Sequence, residues 1–111
     1  MKITITAIIL GLLLAAPAHA QTSEQVDACA SFGELAEQAV SARYSGVSLT
    51  QALSVISDDE PIREIAVAII RDAYRLHRMR AEANQIEQAA EFRSEVEIVC
   101  LDEITRCRAT P

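Results

Sequence analysis

Four side chains beyond residue 20 could act as nucleophile, metal ligand or redox centre: Cys29, Cys100, Cys107 and His77. A thiol activated by an imidazole is the least that cysteine-based nucleophilic catalysis requires. No second motif supplies an oxyanion device to go with it. A structural zinc site needs four nitrogen or sulfur ligands, usually with closely spaced pairs, and the chain has no Cys-x-x-Cys and no histidine near a cysteine. Asp58, Asp59 and Glu60 lack the alternation and the glycine of a calcium loop, so they read as a helix cap with solvated charge. Glu91 and Glu95 fall on one helical face, the spacing a pair of glycosidase carboxylates could use. Tryptophan is absent, and the aromatics are Phe32, Tyr44, Tyr74 and Phe92, so nothing marks a sugar groove. No catalytic, cofactor-binding or metal-binding residue is therefore expected. A small hydrolase centred on a cysteine or a carboxylate is the alternative.

The cysteines read better as crosslinks. In one helix Cys100 and Cys107 would stand about 10 Å apart at Cα, beyond the roughly 7 Å a disulfide spans. Either of them can pair with Cys29. The expected bond is Cys29–Cys100, because Cys107 lies in a last turn where fraying is expected; Cys29–Cys107 is the alternative. The cysteine left over, expected to be Cys107, is a free thiol or a link to a second copy, which makes a disulfide-bridged homodimer one architecture to consider.

Arg71, Arg75 and Arg78 recur at i, i+4 and i+7, with Arg80 beside them and Tyr74 at the edge. This stripe is a candidate surface for an acidic partner. The competing account is internal pairing with Asp72, Glu82 or the acids that follow.

Positioning these residues falls to a short exported chain. Lys2, the apolar run from Ile3 to Ala16 and Pro17-Ala18-His19-Ala20 form a signal peptide over residues 1–20, with cleavage expected between Ala20 and Gln21. The apolar run is too short for a membrane span, and no later stretch qualifies. Asp27, where a small residue is expected, argues against Cys29 as a lipid-bearing first residue. The remaining 91 residues suffice for one domain, 21–111. They carry sixteen acids against nine arginines and no lysine, a net charge near −7, which argues against nucleic acid or an anionic membrane as the main partner. The expected location is the bacterial periplasm, or the medium, where oxidation of cysteines is possible.

Apolar residues at helical spacing predict four helices, 30–45, 48–57, 60–77 and 84–107, and no strand. Residues 21–27 read as an exposed lead-in, although a start at Asp27 that includes Cys29 is equally open. Ser31 with Glu34, Ser48 with Gln51 and Asn84 with Glu87 are candidate capping boxes. Gly46 reads as a stop, and Pro61 as a first-turn residue. The third helix, with Ile62, Ile65, Ala66, Ile69, Ile70, Ala73 and Leu76, is the richest in core residues. In the last helix Ile86, Ala89, Phe92 or Arg93, Val96 and Cys100 form the apolar stripe, widened by Val99 and Ile104. Neither Pro nor Gly occurs between Pro61 and Cys107, so a single long helix there is the alternative to a break between His77 and Asn84. The expected fold is an all-α bundle of four helices, or three, orthogonal or up-down and stapled by one disulfide. Its first and last helices are antiparallel, the third and fourth form a hairpin, and the short second helix is a corner or lid.

The signal segment, the cysteine opening a Leu-Ala-Glu helix, Gly46-Val47-Ser48-Leu49-Thr50, Ala73-Tyr74 and Phe92 ahead of Cys100 resemble small uncharacterised exported helical proteins of bacteria and their phages. That resemblance implies the Cys29–Cys100 pairing and makes Cys107 an addition of this chain. It implies no activity. The function class expected is a non-enzymatic exported protein-interaction module of the immunity or inhibitor kind, with an unidentified protein partner. The structural homodimer is the second reading.

Overall fold

The structure, a computed structural model, describes residues 22–58 and 61–109, with the backbone alone for 107–109. The expected signal segment, Asp59, Glu60 and the side chain of Cys107 lie outside the described residues. Among the described residues four helices follow in order: α1 (Ser23–Tyr44), α2 (Leu49–Ser54), α3 (Arg63–Arg75) and α4 (Glu82–Ala109). No strand occurs among the described residues.

The first helix starts earlier than its apolar pattern suggests. Thr22 is its N-cap: the Gln25 N–H donates to Thr22 Oγ1 at 3.2 Å, and the Thr22 N–H donates to Gln25 Oε1 at 2.9 Å. This reciprocal box satisfies two of the free N–H groups at a helix start, so residues 23–27 are helical and not a lead-in. Ser31 lies inside the helix, where its hydroxyl donates to the Asp27 carbonyl. At the other end Gly46 takes φ +88°, the left-handed geometry that glycine adopts without Cβ strain. Gly46 N–H then donates to the Arg43 carbonyl and Val47 N–H to the Ala42 carbonyl, closing the helix in a Schellman motif. Two residues on, the Ser48 and Gln51 capping box forms as expected and starts α2. Asn84 does not cap α4; it stands inside a helix that begins at Glu82. Nor does Pro61 open α3, whose N-cap is Ile62, with no side-chain hydrogen bond.

Two helices, not one, occupy the stretch from Pro61 to Cys107. The break falls at residues 76–81, where Leu76 turns extended (ψ 148°). Its cause lies across the fold. Arg43 Nη1 donates to the carbonyl of Leu76, at 2.6 Å, and to that of Ala73, at 3.2 Å, which also accepts the Leu76 N–H, so it supplies donors at the end of α3 where the helix's own run out. Tyr44 Oη accepts from the Met79 N–H at 2.8 Å and donates to Gln88 Oε1 at 2.6 Å. Gln88 Nε2 in turn donates to the His77 carbonyl at 2.6 Å. The end of α1 and the start of α4 thus grip the connector between them.

Helices α1 and α4 form the long antiparallel pair. Cys29 meets Cys100, Glu37 meets Arg93 and Tyr44 meets Gln88, each step forward along α1 matched by a step back along α4. The disulfide is Cys29–Cys100, with the Cα atoms 5.6 Å apart. Helices α3 and α4 do not form the expected hairpin. Both pack on α1, α3 making its main contacts there and with α2. The core is therefore shared across α1: Ala36, Ala39 and Val40 meet Ile69, Ile70 and Ala73 from α3 and Ala89 and Phe92 from α4. Ile86 is 65% exposed because it falls outside the arc through Ala89, Phe92 and Val96 that faces α1.

Candidate interaction groove

With α3 and α4 both seated on α1 and not closed on each other, a trough remains between them. It has a volume of about 620 Å³, in the range of pockets that hold small molecules or side chains. Ala28 and Phe32 of α1 line it beneath; Ile65, Ala68 and Ile69 form the α3 wall; Phe92, Val96, Val99, Cys100 and Ile104 form the α4 wall. Ile65 remains 50% exposed and Val99 56%, although both belong to apolar runs. Among the described residues, the polar side chains lining the trough are acids: Glu64 and Asp72 from α3, Glu95 and Glu103 from α4.

The charges on the rim are unevenly compensated. Glu103 receives Arg106 at 3.1 Å and Asp72 faces Arg75 at 4.0 Å, both exposed pairs on single helices. Glu64 and Glu95 make no ion pair with a described residue. No arginine among the described residues lines the trough.

Against the opposite flank of α1, α4 is fastened by a charged clasp. Arg93 donates to Glu37 at 2.7 Å and to Glu97 at 3.0 Å. These two hydrogen bonds, Glu37 first, hold the Arg93 guanidinium above its already high ordinary pKa. Gly33 is what lets Glu97 lie there: a Cβ at that position would overlap the Glu97 carboxylate and stand 2.6 Å from its Cγ. Sequence reasoning did not single out Gly33, Glu37 or Glu97. A buried-side glycine within a helix was the available signal, since it costs helix stability unless something must approach closely.

The residues singled out by type disperse. His77 is exposed in the connector held at the C-terminal end of α1. Cys29 lies fifteen residues back along that helix, about 20 Å away along the axis, and is bonded to Cys100. The thiol–imidazole pair is therefore not assembled from Cys29. Glu91 and Glu95 line an exposed, open face of α4 with Glu87 and Ile98, formed among the described residues by α4 alone, and Glu95 also borders the trough. Asp58 pairs with Arg63 at 3.5 Å as α3 begins. No group of three or more metal-ligating side chains occurs among the described residues. No helix among them is long and apolar enough to cross a membrane.

The arginine stripe is cut by the helix end. Arg71 and Arg75 stand exposed on α3, whereas Arg78 belongs to the connector and lies over the Tyr44 ring, 5.7 Å from its centroid. Tyr74 points inward, its hydroxyl donating to the Val47 carbonyl at 2.7 Å. Burial raises its phenol pKa, partly countered by the charge of Arg43. Tyr74 thus joins α3 to the corner between α1 and α2.

Compared with protein-family models, curated proteins and solved structures, the chain matches none.

Proposed function

We propose that this chain is a non-enzymatic, exported protein-interaction module, and that the trough between α3 and α4 receives the partner. The observation that carries the reading is the apolar lining left open by the arrangement of the helices. Ile65 and Val99 would add to the core in a closed bundle, yet here they stand half-exposed across from one another. Contiguous open apolar surface bounded by charge is the pattern of a docking site. Export to the periplasm or medium is part of the proposal. It rests on the signal-like residues 1–20 and on the disulfide, whose formation suits an oxidising compartment. An immunity- or inhibitor-like role is the concrete form, since a small stapled scaffold presents a groove with little cost in ordering on binding.

Selection from a display library of helical peptides against the oxidised protein tests the reading. Binders should be recovered, and Ile65→Asp or Val99→Asp should abolish their binding while circular dichroism stays unchanged. Recovery of no binder, or of binders indifferent to both substitutions, would sink it.

A further inference from the structure

The trough also carries information about its occupant. We infer that it accepts an amphipathic helix of a partner protein whose apolar stripe is flanked by lysine or arginine on both sides; the inference rests on the interaction reading above and specifies its chemistry.

Three observations converge. The α4 wall runs from Phe92 to Ile104, about 18 Å at the rise of a helix, or a little over three turns. A partner helix of that length presents an i, i+3, i+4, i+7 stripe, the usual way a helix enters an apolar groove. Among the described residues the charge lining the trough has one sign and stands on both walls, Glu64 and Asp72 opposite Glu95 and Glu103. A helix basic along only one flank would leave one acidic wall unmatched.

Lastly, Glu64 and Glu95 lack an ion partner among the described residues, so a cation arriving at either displaces no existing pair there. A second copy of the chain is a poor occupant. Its own α3 and α4 would bring the same carboxylates against these, within a chain of formal net charge −6, and like charges across an interface are costly.

The test uses fourteen-residue peptides with one leucine stripe and three kinds of flank: lysine on both sides, lysine on one side, and glutamate on both. They are titrated by fluorescence anisotropy into the oxidised full chain. Binding should be tightest for the doubly basic peptide and should weaken with added salt, as expected for exposed charges. Glu64→Gln with Glu95→Gln should weaken that binding by about fivefold to tenfold. Glu24→Gln with Glu34→Gln, which removes the same charge outside the trough, should change it by less than about twofold. Equal binding of all three peptides, still abolished by Val99→Asp, would overturn the basic-flank inference and leave the interaction reading intact. No binding by any peptide would overturn both. Sedimentation showing a dimer that Val99→Asp dissolves would assign the trough to a second copy and overturn the inference. Binding that emerged only after removal of residues 1–20 would assign the trough to that segment and overturn the inference as well.

Discussion

Gly33 and Glu97 show how one missing side chain sets the approach of two helices. Glycine in a helix interior costs about 0.5–1 kcal/mol relative to alanine, so Gly33→Ala would ordinarily stabilise. Here the added methyl meets the Glu97 side chain and disturbs its bond to Arg93. Gly33→Ala alone should therefore destabilise, whereas in a Glu97→Ala background it should stabilise by about 0.5–1 kcal/mol. Urea denaturation of the four proteins gives the sign in each background. Tyr74 makes a second prediction at this scale. Its phenol pKa is raised in the folded state, chiefly by burial, so the native protein holds that proton more tightly than the unfolded chain. The resulting stability is fully present below the ordinary tyrosine value near 10 and is lost as pH climbs through the folded value. Tyr74→Phe should flatten this alkaline decline. At neutral pH it should cost about 1 kcal/mol for the lost bond to Val47. A decline of equal steepness in both proteins would discard the account.

At the scale of elements, what could be read from the sequence was whatever is specified locally. Ser48 with Gln51 and the glycine at 46 fix a cap and a stop within a few residues, and both formed as their types dictate. The burial of Ala66, Ile69, Ile70 and Ala73 follows directly from their period on α3. Long-range partners, by contrast, leave no local mark. Ser31 and Asn84 have the composition of caps, but the first helix starts at the Thr22 cap and the last begins at Glu82, after the bend at Ala81. The disulfide narrowed to one of two partners because helix geometry forbids Cys100–Cys107. The failure of α3 and α4 to pair was not legible, since an apolar face is equally apolar whether covered or open. Arg43 is the clearest element-scale case: one side chain from α1 ends α3 from outside. Arg43→Met should lower stability by about 1.5–3 kcal/mol, the range for hydrogen bonds to a charged group. It should also speed amide exchange in the last turn of α3 and the connector before that of α1. Uniform exchange across both helices would show that the arginine does not terminate α3.

For the whole molecule, the decisive constraint is the Cys29–Cys100 tie between α1 and the later part of α4. It closes a loop of sequence separation 71, for which the chain-entropy relation gives about 4 kcal/mol. A domain of this size has about 5–15 kcal/mol of stability in all, so the tie is a large share of what keeps the chain folded. Its effect is also local. Toward its N-terminus α4 is gripped by Gln88 through Tyr44 and by Arg93 through Glu37, whereas beyond Val96 the disulfide is its strongest link to α1. That later part supplies Val99, Cys100, Glu103 and Ile104, most of one wall of the trough. Reduction, in a Cys107→Ser background that prevents exchange of partners, should therefore loosen α4 from about residue 96 onward before it unfolds the rest. Hydrogen exchange at a temperature below the thermal transition should show amides 97–106 losing protection while 85–93 keep theirs. Affinity for any groove-binding peptide should fall in step. If protection is lost evenly along α4, the sulfur bond does not anchor its later part selectively; if peptide binding survives reduction, the wall stands without that bond and the groove is held by packing alone.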